Sequence, residues 1–234
     1  MPEPEKRMEP LINLHNASKV YKIGKLYINA LKDLNLIIES GEFISIIGPS
    51  GSGKSTLMNI IGFLDILTEG SYHFRSKDVS YLEEDELSGM RNREIGFVFQ
   101  NFNLLSRTTA IKNVELPLLY AGADRKRRQY LAEKAIETVG LKQRQLHNSN
   151  ELSGGEIQRV AIARAIVANP QIILADEPTG NLDSKTGKEI LETFERLHSQ
   201  GRTVILVTHD PAVAEKANRI ISLLDGRINR DVRK

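Results

Sequence analysis

The sequence predicts an α/β fold built around a parallel sheet. Three runs, 43–47, 171–175 and 203–208, are almost wholly apolar. Strands of that composition are buried on both faces, as in a parallel sheet covered by helices. Between the first run and the first predicted helix stands Gly48-Pro49-Ser50-Gly51-Ser52-Gly53-Lys54-Ser55-Thr56. It fits the pattern of glycine, four residues, then Gly-Lys-Ser/Thr without a gap. The strand–loop–helix setting separates a phosphate-binding loop from a chance match. The glycines let backbone N–H groups turn inward around phosphate oxygens, and the following helix aims its N-terminal dipole at the same anion.

Along the chain, predicted strands cover 11–17, 43–47, 95–99, 171–175, 203–208 and 219–224. Predicted helices cover 54–62, 110–120, 125–139, 154–168, 185–199 and 211–217. The first helix opens at the loop itself, through Thr56-Leu57-Met58-Asn59-Ile60-Ile61. Asp183 or Ser184 suits the cap of the helix at 185, and Asp210-Pro211 starts the last one well. The segment from about 101 to 165 is mainly helical and carries no clear strand. It reads as a helical subdomain inserted into a single domain spanning 1–234.

Composition bounds the function. A chain of 234 residues with 40% hydrophobic residues can build one substantial α/β core. Thirty-two basic residues nearly balance thirty acidic ones, for a net charge of +2, so no nucleic-acid partner is expected. The basic clusters Arg125–Arg128 and Arg227–Lys234 read as solvated surface. There is no cysteine, hence no disulfide framework and no thiolate metal site. His15, His73, His147 and His198 lack metal-ligand spacing. Segment 1–7 is polar and does not read as a secretory signal. No apolar stretch approaches the ~18–20 residues needed to cross a bilayer, so a membrane role must come through a partner.

The acidic counterpart of the phosphate loop is Ile172-Ile173-Leu174-Ala175-Asp176-Glu177. An apolar strand ending in Asp-Glu puts two carboxylates at its C-terminal edge, where ligands sit in open α/β sheets. Asp176 suits a magnesium shell and Glu177 suits activation of a water. A second short motif, Leu152-Ser153-Gly154-Gly155-Glu156, opens the predicted helix at 154.

With these motifs in this order, the chain resembles the nucleotide-binding subunit of an ATP-binding-cassette (ABC) transporter. Leu152–Glu156 matches the family signature Leu-Ser-Gly-Gly-Gln except for glutamate at the last position. Gln100, ending Phe97-Val98-Phe99-Gln100, resembles the glutamine loop. Asn181-Leu182-Asp183 resembles the aspartate loop, and His209 the switch histidine. Tyr21, in Lys19-Val20-Tyr21, resembles the aromatic that stacks on adenine. The likeness covers essentially residues 11–228. Segments 97–105, 114–122 and 175–183 look most like the macrolide-exporter and lipoprotein-release group, which powers mechanical work across the envelope.

The resemblance implies a P-loop NTPase core with an N-terminal antiparallel β portion and the inserted helical subdomain. It implies ATP and Mg2+ as cofactors, with Ser55, Gln100 and Asp176 toward the metal. Glu177, His209 and Gln100 would act in hydrolysis. Tyr21, the loop Gly48–Thr56, Ser153, Gly154, Gly155, Glu156 and Asp183 would bind nucleotide, the signature closing on a second copy's ATP in a head-to-tail homodimer. An integral membrane permease subunit or domain is the implied partner, with a periplasmic adaptor beyond it, and the cytoplasmic face of the inner membrane the implied location. Phe102, Leu104, Leu105, Leu118 and Leu119 would offer the permease an apolar surface, or else lie in the core. Two other classes fit the motifs: a regulatory cell-division-type module, and a soluble ABC ATPase acting on nucleic acid or ribosomes. Soluble members usually carry long coiled-coil insertions or paired cassettes, and neither is present here.

Overall fold

The structure, a computed structural model, describes residues 9–80 and 82–234. Segment 1–7, read above as no secretory signal, lies outside the described residues. The strands are β1 (Ile12–Ile23), β2 (Leu26–Ile38), β3 (Phe43–Ile47), β4 (Glu69–Phe74), β5 (Lys77–Asp78), β6 (Ile95–Val98), β7 (Ile172–Asp176), β8 (Thr203–Val207), β9 (Arg219–Leu224) and β10 (Arg227–Arg233). The helices are α1 (Lys54–Ile61), α2 (Glu84–Glu94), α3 (Ala110–Tyr120), α4 (Arg125–Thr138), α5 (Gly154–Ile166), α6 (Ser184–Ser199) and α7 (Pro211–Ala214). One sheet has the order β2-β1-β4-β5 and is antiparallel throughout. The other has the order β10-β9-β3-β8-β7-β6; it is parallel from β9 to β6, with β10 antiparallel at its edge.

The apolar strands are divided residue by residue between two cores. Ile44, Ile46, Ile172, Leu174, Ile205 and Val207 pack with α1 and the antiparallel sheet. Phe43, Ile173, Ala175, Val204 and Leu206 face the opposite way and pack with α3, α4, α5 and α6. Successive strand side chains point to opposite faces, so a strand clad on both sides is apolar at nearly every position, with Ser45 and Thr203 the buried exceptions. Each fully buried Ile, Leu or Val contributes about 1.5–3 kcal/mol, which leaves β3, β7 and β8 no competitive alternative placement.

α6 shows the local logic of the covering helices. Ile190, Phe194 and Leu197 form a buried stripe at helical spacing. Asp183 fixes its start, its carboxylate accepting from the backbone N–H groups of Lys185 and Thr186 at 3.1 and 3.0 Å. The last helix begins likewise at Asp210-Pro211 but is shorter than its predicted span, ending at Ala214.

β2, β4, β5, α2 and β10 were not predicted from sequence. In β2 the buried residues run Leu31, Leu34, Leu36, Ile38. A bulge opposite Ala17 shifts the register there, with Asp33 at φ 46°, so the first spacing is three and mimics a helix. α2 buries only Leu87 and Met90. The basic tail 227–234, read as solvated surface, is the edge strand β10. It is held by Arg219, which is 6% exposed. Arg219 Nε and Nη2 donate to the Asp231 carboxylate at 2.8 and 2.7 Å, and Nη1 to Glu42 Oε2 at 2.9 Å.

Between β6 and β7 the chain forms α3, α4, 3-10 turns at Lys142–Arg144 and Ser149–Glu151, and α5. α5 packs against α3 and α4 but also against β6 and α6, so this helical segment shares a core with the sheet.

Candidate functional site

Three neighbouring strands, β3, β8 and β7, end at one edge of the parallel sheet, and the chain leaves each end carrying a predicted site residue. Ile46 pairs with Val207, and Val207 with Asp176. Beyond those pairs the backbone keeps the strands together. The Thr208 N–H donates to Ile46 O at 3.1 Å and the Glu177 N–H to Val207 O at 2.8 Å. The register thus gathers the phosphate loop, Asp176-Glu177 and Thr208-His209.

The loop Gly48–Gly53 wraps onto α1, whose cap is Gly53 at φ 101°. A Cβ at Gly53 would lie 2.6 Å from Ala30 O, and one at Gly48 would lie 2.3 Å from Leu223 O. Both approaches exclude any side chain, so these glycines are dictated by β2 and β9 behind the loop. The wall is completed by Gly226, whose N–H donates to Ser52 O at 3.1 Å. Lys54 folds back on the loop, donating to Gly48 O and Pro49 O, each at 2.9 Å. Ser52 Oγ is buried without a partner, whereas Pro49, Ser50, Gly51 and Ser55 are exposed. A cationic side chain resting on carbonyls, an orphaned hydroxyl and open N–H groups fit a polyphosphate.

Asp176 and Glu177 differ in setting. Burial raises the Asp176 carboxyl above the usual carboxylate range, the neighbouring Glu177 adds to this, and Lys54 opposes it. A half-buried carboxylate in that position fits a cation beside the phosphates. Among the described residues no three His, Cys, Asp or Glu side chains cluster as a protein-only metal site. Mg2+ takes few protein ligands and relies on water and phosphate oxygens, so the single half-buried Asp176 carboxylate suits it. Glu177 sits at φ 43°, a strained conformation for a residue with a Cβ. Its Oε1 accepts from His209 Nδ1 at 2.6 Å and from the His209 backbone N–H at 2.9 Å. Its Oε2 accepts from Thr208 Oγ1 at 3.0 Å.

Gln100 leaves β6 and packs on the loop after Glu177: a Cβ on Gly180 would meet Gln100 Nε2 at 2.6 Å. Asn181 Nδ2 donates to Gln100 O at 3.0 Å and to Asn101 Oδ1 at 3.1 Å. Asp183 is engaged as the α6 cap described above. Tyr21 is fixed by its hydroxyl, which donates to Asp65 Oδ2 at 2.7 Å, with Lys19 Nζ 5.1 Å from its ring centroid. Burial, with the Asp65 hydrogen bond second, raises that phenol above its usual range.

Ser153 caps α5 in a reciprocal box. Its Oγ accepts from the Glu156 N–H at 3.3 Å, and Glu156 Oε2 accepts from the Ser153 N–H at 2.9 Å. The signature does not share the sheet edge with the phosphate loop. α5 packs against the helical segment, α6 and edge strand β6, whereas α1 packs against β2 and β8. Gly155 is pressed against α6, where a Cβ would lie 2.3 Å from Thr186 Cγ2.

A groove of about 500 Å3 opens between α2, α3 and α5, lined among others by Arg91, Phe97, Phe99, Pro117, Tyr120 and Arg164. The apolar set expected to meet the permease is not among the residues lining this groove, and it divides. Leu118 is buried at 5% exposure and Leu104 packs on the core, while Leu105 and Leu119 are each 50% exposed.

Sequence reasoning missed several contributors. Thr208 shows no signal beyond its place before His209. Gln158 is wholly buried and its Nε2 donates to Pro178 O at 2.7 Å, joining α5 to the segment just after Glu177. Arg164 donates to Phe102 O at 2.9 Å and to Asn103 O, tying α5 to the chain after Gln100. A buried glutamine on an otherwise apolar helix face was the one legible cue.

The arrangement is that of a phosphate-loop nucleotide-binding cassette. A family model described as ABC transporter matches residues 31–180. The uncharacterized ABC transporter ATP-binding protein YknY of Bacillus subtilis is 55% identical over 218 residues, covering 93% of this chain and 95% of that protein. The macrolide export ATP-binding/permease protein MacB of Bdellovibrio bacteriovorus is 51% identical over 225 residues, covering 95% of this chain and 34% of that longer protein. Among solved structures, the dimeric post-hydrolysis state of the ATP-binding cassette MJ0796 bound to ADP and Pi superposes with a TM-score of 0.86 at 48% identity, covering 95% of this chain and 98% of that one. The chain belongs to the ABC transporter ATP-binding family, and it is an ATPase.

Proposed function

We propose that this chain powers a membrane transporter of the export or envelope-mechanotransmission type by closing with a second copy around ATP. The observation that carries this is the register of β3, β8 and β7, which delivers phosphate loop, paired carboxylates and histidine to one sheet edge while the signature stays apart on α5. One chain holds one phosphate loop, and its signature has an anion-ready N-terminus facing no phosphate of its own. A head-to-tail pair supplies each signature with the other copy's ATP.

The roles follow from the chemistry. Loop N–H groups and Lys54 hold the phosphates, and Tyr21 offers its ring to adenine. Ser55 and Asp176, with Gln100, would hold Mg2+, which supplies charge neutralisation at the β- and γ-phosphate oxygens. Glu177 takes a proton from the attacking water as its oxygen bonds to the γ-phosphorus. The bond from that phosphorus to the bridging oxygen breaks, leaving ADP and phosphate. His209 orients Glu177 through Nδ1–H, and its Nε2 is then free to accept from the attacking water. Phosphoryl transfer asks for positioning and electrostatic stabilisation more than covalent help.

The division of labour extends to the permease. Residues 101–165 act as a helical subdomain, and the groove beside Phe97, Phe99 and Tyr120 receives a cytoplasmic helix of an integral membrane partner. An apolar floor rimmed by Arg91 and Arg164 suits a short helix with acidic residues at its edge. The permease in turn meets a periplasmic adaptor, which places this chain peripherally at the cytoplasmic face of the inner membrane. No helix among the described residues is long and apolar enough to cross a membrane.

Sedimentation tests the closure. Glu177→Gln, which retains ATP, is expected to be monomeric without nucleotide. With ATP and magnesium it should become a dimer of about 52 kDa, twice the 26.2 kDa chain. A persistent monomer at about 50 μM protein, far above a micromolar dissociation constant, overturns the shared site.

A further inference from the structure

Glu156 stands where the family signature has glutamine, and a second side chain answers its charge. We infer that Arg144 is a positioning residue for the shared ATP site, neutralising Glu156 so that Ser153–Gly155 can close on the partner copy's triphosphate. The inference rests on the head-to-tail closure proposed above.

The geometry assigns each oxygen of Glu156. Oε2 accepts from the Ser153 N–H at 2.9 Å, completing the capping box. Oε1 accepts from Arg144 Nε at 3.1 Å. Arg144 comes from the 3-10 turn Lys142–Arg144, outside α5, and its Nη1 also lies 3.1 Å from His147 Nε2. Ser153, through its backbone N–H and then its side chain, holds the Glu156 carboxyl below its usual range, with Arg144 adding to this and burial opposing it. The carboxyl is therefore fully ionised at neutral pH. A glutamine would complete the same capping box without charge.

That charge creates a conflict. The first turn of α5 attracts a triphosphate through its N–H groups and dipole. A carboxylate in the same turn opposes the approach, and like charges brought together across an interface are strongly unfavourable. Arg159, the next cation on α5, pairs with Glu189 at 3.4 Å on α6 and is not directed to Glu156. Arg144 is the basic group placed to cancel it. In the monomer its side chain is 49% exposed and that of Glu156 18%, so the pair adds little to folding stability. Its effect grows when closure removes water.

A cycle in the Glu177→Gln background separates this role from a structural one. The ATP-dependent dimer dissociation constant is measured by sedimentation for the parent, Arg144→Ala, Glu156→Gln, and the two together. Arg144→Ala should weaken the dimer roughly tenfold when Glu156 is present and less than about twofold when residue 156 is glutamine. Arg144→Lys should recover most of the loss, since charge rather than shape is required. An equal loss whether residue 156 is glutamate or glutamine means that Arg144 acts on the partner or on folding, and overturns the inference. So does an unchanged dimer in Arg144→Ala. Absence of a dimer in the parent itself removes the closure reading, and this inference with it.

Discussion

His209 Nδ1 lies 2.6 Å from Glu177 Oε1, and the His209 backbone N–H reaches the same oxygen at 2.9 Å. With the carboxylate as acceptor, the proton of this pair sits on Nδ1. One residue thus grips the proposed base twice, by ring and by backbone. Thr208 supplies a third donor, so the Glu177 rotamer is set by the end of β8 rather than by its own strand.

Glu177→Gln should lower kcat on the order of 10²–10⁴-fold while nucleotide affinity is kept. His209→Ala should cost less, because two donors to Glu177 survive it. Lys54→Ala should act on affinity first, removing the loop's positive side chain. Nucleotide titration beside single-turnover hydrolysis separates the three, and an equal affinity loss for Glu177→Gln and Lys54→Ala argues against Glu177 as base.

Asp176 gives the nucleotide-free protein a pH signature. Its carboxyl is raised by burial and by Glu177. The stability contributed by the protonated form is therefore complete below about pH 4, its unfolded value, and lost as pH rises through the raised folded value. Asp176→Asn should gain in Tm over the parent across that window. ATP with magnesium should reverse the order at pH 7, since only the parent meets the cation with a charge. A Tm difference independent of pH refutes the account.

Arg219 carries the edge of the parallel sheet. Arg219→Ala removes the buried cation between Glu42 and Asp231, leaving Glu42 only the exposed Arg233 at 2.8 Å, at a cost of about 3 kcal/mol, or a Tm lower by roughly 10 °C for a chain of this size. Asp231 is held below its usual range chiefly by the Arg219 hydrogen bonds. Its stabilisation is present above about pH 4 and fades as pH falls through the depressed value. The gap between parent and variant should narrow over that acid interval in urea titrations.

Tyr120 is 76% exposed and lines the groove between α2, α3 and α5. Tyr120→Asp should weaken association with the proposed permease about tenfold, a loss of ~1.4 kcal/mol, and leave hydrolysis by the isolated chain intact. Leu118→Asp should instead unfold the protein, since that side chain is buried. Pull-down with the permease and the Tm of each variant decide between surface and core.

Legibility followed burial. β3, β7 and β8 could be read because helices and a second sheet clad both faces, forcing almost wholly apolar runs. α3 was read with its observed bounds, from Ala110 to Tyr120. β10 was not read because its sequence Arg-Ile-Asn-Arg-Asp-Val-Arg has little apolar pattern; it is ordered by hairpin pairing to β9 and by Arg219, and Asp225-Gly226 between the two strands was an unused turn signal. β2 was masked by its bulge, and α2 by burying only two side chains. At the site, residues within contiguous motifs were legible, whereas Thr208, Gln158 and Arg144 act through contacts that only the fold creates. Motif spacing records local backbone needs and is silent about partners 20 or 30 residues away, such as Gln158 with Pro178 or Thr208 with Glu177.

The phosphate loop is moulded against residues that the ribosome adds more than 170 positions later, Gly48 against Leu223 and Gly53 against Gly226. Ser52 accepts from the Gly226 N–H. A nascent chain can emit the whole glycine-rich motif long before the surface behind it exists. Nucleotide capture is therefore deferred until residues 219–226 have emerged and β9 has docked beside β3. Chains halted before β9 are kept from sequestering ATP or pairing with longer ones, and retention on immobilised ATP becomes an assay for synthesis past residue 226.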